Sequence, residues 1–103
     1  MSIREVVEGI QYQGTDEQVA YKITTTNWGS TPTSISAKAY DESVGDDVTT
    51  TVFPTNSPGA AGDAITLSLL KSLTLKHTYR IEVKFTDSSG NIWEPYFRVK
   101  CIV

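Results

Sequence analysis

The chain has 103 residues, of which 39% are hydrophobic and 20% charged, and this composition predicts one folded domain over residues 1–103, not a disordered segment. Val, Ile and Thr number 9, 8 and 14, whereas Leu, Ala and Met number 5, 6 and 1, and this excess of β-branched residues indicates an all-β domain. The formal net charge of −3 disfavours general binding to nucleic acid, whose phosphates attract basic surfaces.

Alternation of apolar and polar residues predicts short strands along the whole chain. The strands are expected over residues 6–12, 19–25, 34–40, 48–53, 65–69, 79–85 and 93–101. The first is expected at a sheet edge with a bulge or kink at Gly9, and Pro95 indicates an edge or a bulge in the last. The longest break, residues 54–62, contains the turn-forming pair Pro58 and Gly59.

Residues 71–76 connect two of these strands, and Leu73 and Leu75 are expected to face inward. No helix longer than one turn is indicated. About seven short strands, with turn signals every 8–12 residues or so, are typical of an antiparallel β-sandwich.

The segment from Leu73 to Tyr79 resembles the entry to the sixth strand of immunoglobulin-like and fibronectin type III domains. In those domains a Leu packs six residues before a Tyr whose hydroxyl bonds back to the preceding corner. The resemblance implies that Tyr79, packed with Leu73, is a structural tyrosine corner. Leu75 stands where fibronectin domains usually have Pro, Trp28 lies beyond the second strand, and the disulfide of antibody domains is absent. The implied fold is a single immunoglobulin-like antiparallel β-sandwich of about seven strands.

Residues 18–103 also resemble small prophage-encoded proteins, which tend to be structural components of the virion. The segments that carry this resemblance are residues 21–26, 28–32, 52–55 and 70–74. None of them contains a catalytic motif. The resemblance implies a structural role in a phage or prophage particle.

The compartment is predicted from the termini and the cysteine. No apolar run follows Arg4, and no apolar stretch approaches the roughly 20 residues of a membrane span. Cys101 is the only cysteine, so an internal disulfide is impossible. A reducing compartment suits the chain, although an exported chain could also lack cysteine pairs. We expect synthesis in the cytoplasm without a signal peptide and no membrane contact, and incorporation into a phage particle stays open.

Catalytic residues are sparse. His77 is the only histidine, and it is expected to be an exposed turn residue because nothing in the sequence directs it towards a serine. Cys101 alternates with Val99 and Phe97, so it is interpreted as a buried apolar residue instead of a reactive thiol.

The sequence also gives little indication of a metal site or a phosphate site. The acidic loop of residues 41–47 contains Asp41, Glu42, Asp46 and Asp47, with Asp63 expected close by across the sandwich. This loop is interpreted as solvated, with a calcium site as the alternative. The glycine-containing segment of residues 59–62 has no following helix, so we interpret it as a flexible surface loop and not a nucleotide-binding loop.

Aromatic residues are the best candidates for a binding surface. Trp28 lies in a loop, Trp93 and Tyr96 flank Pro95, and Tyr40 leads into the acidic loop. We expect the two tryptophans to cap the thin core, and one arrangement left open places them at opposite ends of the sandwich. A protein interface is the next interpretation, and a platform for sugar rings is the third.

These observations predict a non-enzymatic structural or assembly component of a phage or prophage particle that acts through protein–protein contacts and needs no cofactor. The expected contacts are an exposed edge strand, with self-association as one form, or the loops at Trp28 and residues 54–62. The alternative is a carbohydrate- or small-ligand-binding module that uses Trp28, Trp93 and Tyr96.

Overall fold

Two β-sheets pack face to face in a computed structural model of the protein, which describes residues 10–26 and 28–103. The larger sheet has the strand order β1-β9-β7-β3-β4, with β8 also paired to β7. Its strands are β1 (Gln11–Gln13), β3 (Thr33–Asp41), β4 (Asp46–Asp47), β7 (Thr78–Thr86), β8 (Ile92–Trp93) and β9 (Tyr96–Cys101). The smaller sheet has the order β2-β6-β5. Its strands are β2 (Val19–Thr24), β5 (Gly59–Ala61) and β6 (Ala64–Leu70). The predicted all-β sandwich is confirmed.

The core between the sheets contains the residues that were predicted to alternate inward. On β7 every second residue is at most 2% exposed: Tyr79, Ile81, Val83 and Phe85. Ile23 of β2 packs with them from the smaller sheet, together with Ile65 and Leu67 of β6. Burial of one such side chain contributes about 1.5–3 kcal/mol, which makes this layer the main source of stability.

Leu73 is buried as predicted, but Leu75 is 46% exposed, so the inward prediction for Leu75 is wrong. The reason is that residues 71–77 belong to no strand, and side chains there need not alternate between two faces.

The fourth predicted strand, residues 48–53, is wrong, because a single helical turn, α1 (Thr49–Val52), takes its place. Asp47 Oδ1 accepts hydrogen bonds from the backbone N–H of Thr49 at 3.0 Å and from its hydroxyl at 2.6 Å, which favours a turn at this point. Val52 and Phe53 are 1% and 2% exposed. Consecutive strand residues point to opposite faces, so the turn is what lets both side chains enter the core.

The break predicted over residues 54–62 contains a strand, β5, that the sequence pattern missed. Its three residues are small and all exposed, so they carry no apolar alternation. Pairing of Gly59 with Thr66 and of Ala61 with Ala64 on β6 holds the strand in place. The connecting turn contains Gly62, whose φ of 59° lies in the left-handed region that glycine adopts readily.

The first strand lies at a sheet edge as predicted, but the described part, β1, pairs with β9 in parallel. The predicted antiparallel sandwich therefore contains one parallel pair in the described residues. No hairpin joins β1 and β9, which come from opposite ends of the chain, so nothing forces them antiparallel. The predicted bulge at Gly9 lies outside the described residues.

The last predicted strand is interrupted at Glu94 and Pro95, which separate β8 from β9. Pro95 has no N–H to donate to the sheet. This is the reason that the sequence predicts an edge or a bulge at Pro95. The register continues across the break, because Val83 N–H donates to Pro95 O at 2.9 Å. This split, β4 and β5 add three strands to the predicted seven, and the loss of the strand predicted over residues 48–53 removes one, so the described residues contain nine.

Candidate functional site

Three connections meet at one end of the sandwich: the β2–β3 loop, the β5–β6 turn and the β7–β8 hairpin. Thr25 N–H donates to Asp63 O at 2.7 Å, and Thr31 N–H donates to Asp63 Oδ1 at 3.1 Å. Ser88 N–H donates to Ser30 O at 3.0 Å. Asp63 therefore lies beside the start of β3, whereas the acidic loop follows the end of that strand. The predicted proximity of Asp63 to the acidic loop is wrong, because the length of β3 separates them.

Both tryptophans are partly buried and pack against the core, which confirms the interpretation that they cap it. They lie at the same end of the sandwich, not at opposite ends. The backbone of Gly29 lies against the Asp87 side chain, and Trp93 Nε1–H donates to Asp87 Oδ2 at 2.9 Å. The pairing of β7 with β8 brings these residues together, which the sequence alone did not reveal.

Asp87 organises the hairpin between β7 and β8. Its side chain is only 7% exposed, and Oδ1 accepts the backbone N–H groups of Ser89 and Asn91, each at 2.9 Å. The hydrogen bond from the Trp93 indole, followed by those from Asn91 and Ser89, lowers the pKa of Asp87. Sequence reasoning treated this segment only as a hairpin loop. An aspartate at the first position of a turn was the available signal.

His77 is held at the opposite end of the sandwich and is not the freely exposed turn residue that was predicted. Its Nδ1 lies 2.7 Å from Asp41 Oδ2, and the two side chains are 29% and 6% exposed. In the described residues the His77 ring has no other hydrogen bond, so no nucleophile is aligned on it. The separation of 36 positions between the partners hid this contact from sequence reasoning.

The acidic loop is not uniformly solvated, since most of its carboxylates bind groups of the same molecule. Asp41 binds His77, and Glu42 accepts from Arg80 Nη1 at 3.2 Å and from Arg98 Nε at 2.9 Å. Hydrogen bonds from Thr49 lower the pKa of Asp47. No group of three or more His, Cys, Asp or Glu side chains in residues 10–26 and 28–103 is arranged to hold a metal ion.

Cys101 is fully buried, which confirms its interpretation as an apolar core residue. Burial raises the pKa of its thiol, so the reactive thiolate is disfavoured.

The outer face of the larger sheet is the most distinctive surface of the molecule. Strands β3, β7 and β9 point their polar residues outward in four cross-strand rows. From one end to the other the rows are Glu42, Thr78 and Lys100; Tyr40, Arg80 and Arg98; Lys38, Glu82 and Tyr96; and Ser36, Lys84 and Glu94. The positions of Glu42 and Glu94 follow from backbone hydrogen bonds that continue the register. We call these twelve residues the outer face.

Aromatic rings on the outer face are covered by guanidinium groups. Arg80 Cζ lies 5.0 Å from the ring centre of Tyr40, and Arg98 Cζ lies 5.3 Å from the ring centre of Tyr96. Arg80 and Arg98 are direct cross-strand neighbours, and two like charges so placed repel each other. Glu42 accepts from both guanidinium groups and offsets this repulsion.

A shallow hollow of about 320 Å³ opens on the outer face, lined by Arg80, Glu82, Glu94, Tyr96 and Arg98. Glu82 Oε2 accepts from Arg80 Nε at 2.8 Å. The hollow therefore combines both signs of charge with one aromatic ring. Of the three aromatic residues predicted from the sequence, Tyr96 belongs to this face, whereas Trp28 and Trp93 lie at the loop end.

No protein-family model, curated protein or solved structure matches the chain significantly. Among the described residues, no helix is long and apolar enough to cross a membrane.

Proposed function

We propose that the protein is a non-enzymatic structural or assembly component that acts through protein–protein contacts, and that the outer face is its contact surface. The observation that carries this proposal is the pair of Tyr–Arg stacks, Tyr40 with Arg80 and Tyr96 with Arg98, joined by Glu42. Tyr and Arg are enriched among the residues that dominate binding energy at protein interfaces.

Pre-organisation supports the same proposal. A free arginine side chain loses rotamer freedom when it is fixed at an interface, at a cost of about 0.5–1.5 kcal/mol. Arg80 is already held by Glu42 and Glu82, and Arg98 by Glu42. Much of this cost is therefore met during folding, before any partner arrives.

The sheet face suits binding better than most of the sheet edges. Three of the four edge strands in the described residues, β1, β4 and β5, are only two or three residues long, whereas the fourth, β2, has six. Very short edge strands are poor templates for pairing with another chain. The proposal therefore moves the contact from the predicted edge strand to the outer face.

We infer that the sandwich is immunoglobulin-like. The order β2-β6-β5 in one sheet and β9-β7-β3 in the other corresponds to the orders B-E-D and G-F-C of immunoglobulin domains. Tyr79 supports the inference, because its hydroxyl accepts the N–H of Thr74 at 2.6 Å, as expected for a tyrosine corner. Small sandwiches of this kind serve many unrelated functions, so the fold alone does not carry the functional proposal.

Membership of a phage or prophage particle is the biological setting we propose for these contacts, and its support is the sequence resemblance described above. Absence of enzymatic activity is supported by His77, whose ring is engaged with Asp41, and by the burial of Cys101. The carbohydrate-binding alternative is less well supported, because Trp28 and Trp93 pack against the core and the ring of Tyr96, its third candidate residue, is covered by Arg98.

Sedimentation velocity over a wide concentration range tests the proposal. The wild-type protein is expected to associate increasingly with concentration, and the variant Y40S/Y96S is expected to remain monomeric because it lacks both stacked rings. The variant L69S is the control, since Leu69 is 48% exposed on the smaller sheet. Unfolding curves of all three proteins establish that they are folded. A wild-type monomer at every concentration, or association that Y40S/Y96S leaves unchanged, contradicts the proposal.

A further inference from the structure

The outer face carries its charges in an order that is complementary to itself when reversed along the strands. Along β9 and the residues that precede it, the outward side chains are Glu94, Tyr96, Arg98 and Lys100. A second copy of this segment that runs in the opposite direction sets Glu94 opposite Lys100 and Tyr96 opposite Arg98. The first is a pair of opposite charges, and the second is a cation–π pair.

The neighbouring strands obey the same symmetry. On β7, reversal sets Arg80 opposite Glu82, which is again a pair of opposite charges. On β3, it sets Tyr40 opposite Lys38, which is another aromatic–cation pair. These positions share the two central rows of the outer face. A single two-fold axis, perpendicular to the strands and running between those two rows, generates all of these contacts together.

The remaining positions of the outer face introduce no like-charge contact. The same axis sets Thr78 opposite Lys84 and Glu42 opposite Ser36. A two-fold interface is self-complementary, because each residue that contacts another is contacted by that residue's copy in return. Random placement of five cations and three anions over twelve positions would readily bring like charges together, and this arrangement avoids it at every pair.

We propose that two copies of this chain associate through their outer faces about this two-fold axis. The proposal rests on the proposed function and names its partner as a second copy. Three strands at about 4.8 Å spacing and seven residues at about 3.4 Å give a face of roughly 350 Å² per copy. Burial of roughly 700 Å² in total is below the range of stable specific complexes, so the dimer is weak and forms only at high protein concentration.

Glu94 and Lys100 provide the sharpest test, because they lie at the two ends of the face and neither side chain makes a hydrogen bond or ion pair with the described residues. E94K sets a lysine at position 94 opposite Lys100 of the other copy, and K100E sets a glutamate at position 100 opposite Glu94 of the other copy. Each single reversal is therefore expected to weaken self-association at least tenfold. The double variant E94K/K100E restores an opposite pair and is expected to return self-association to within about threefold of the wild type.

The net charge provides a built-in control, since E94K/K100E has the same net charge as the wild type. A second control is the off-face pair E17K/K22E, which exchanges charges at two exposed positions outside the outer face. Sedimentation equilibrium measures all variants at several salt concentrations. Rescue by the double variant and no effect of E17K/K22E support the proposal.

Failure of this inference is distinguishable from failure of the proposed function. The two-fold arrangement is overturned if self-association is lost in Y40S/Y96S but is unchanged by the charge reversals at Glu94 and Lys100. The outer face then still stands as an interface. Single reversals that weaken association without rescue in the double variant also overturn it. A wild-type protein that is monomeric at every concentration overturns both.

Discussion

Gly29 is the position where one added methyl group should do the most local damage. A Cβ built on Gly29 lies 2.4 Å from both Cβ and Oδ2 of Asp87, whereas ordinary contacts are 3.4–4 Å. G29A therefore requires a displacement of about 1 Å, by the difference between those distances. Asp87 cannot move by that amount without losing its hydrogen bonds to Ser89, Asn91 and Trp93.

The change in the free energy of unfolding of G29A is the difference between two opposing effects. Overpacking costs about 1–3 kcal/mol, and replacing Gly by Ala recovers about 0.4–1 kcal/mol by restricting the unfolded chain. We expect the free energy of unfolding of G29A to fall by about 1–2 kcal/mol, with a fall in melting temperature of about 4–8 °C for each kcal/mol. Urea titration followed by tryptophan fluorescence measures the first quantity, and thermal circular dichroism measures the second.

G59A is the matched control, because a Cβ at Gly59 meets no atom within 4 Å. Its stability should equal or slightly exceed that of the wild type. The Trp93 indole N–H resonance should shift in G29A and not in G59A, since only the first change displaces its acceptor. If G29A is as stable as G59A, the close approach of Gly29 to Asp87 is not part of the native structure.

Three further predictions concern single side chains. Y79F removes the hydroxyl that accepts the Thr74 N–H and should lower the free energy of unfolding by about 0.5–1.5 kcal/mol in urea titration; an unchanged value would show that this hydrogen bond contributes no stability. Hydrogen bonds lower the pKa of Asp87 in the folded protein. Ionised Asp87 therefore stabilises the fold fully above the pKa of the unfolded chain, about 3.9, and this stabilisation is lost as the pH falls through the lower pKa of the folded protein. D87N should therefore reduce the loss of stability at acid pH, and an identical pH profile would refute that role. The buried Cys101 thiol should resist a thiol reagent in the native protein and react fully in denaturant, whereas rapid native labelling would contradict its burial.

The extent to which the sequence predicted the fold depended on burial. The long central strand β7 was predictable because its alternate residues, such as Ile81 and Val83, are all buried and their period of two is unbroken. The strand β5 was not, because its small, exposed residues are fixed by pairing with β6. The turn α1 was missed because Val52 and Phe53 suit a strand by propensity, whereas tertiary burial favours a turn.

The candidate site was predictable only within single strands. The spacing of Tyr96, Arg98 and Lys100 at alternate positions is visible in the sequence. Their relation to Arg80 and Glu42 is not visible, because it depends on which strands are neighbours and on their register. Local patterns define the content of each strand, and the pairing of distant strands creates the surface.

Amide NMR spectra recorded at increasing protein concentration test the central claim, that the outer face is a protein-binding surface, most directly. We predict that the resonances that shift or broaden belong to β3, β7 and β9, including the amides of Tyr40, Glu82 and Tyr96. Resonances of the smaller sheet and of the loop end near Asp63 should stay unchanged. Concentration-dependent changes at β5 or at the loop end, with the outer face unaffected, would contradict the claim.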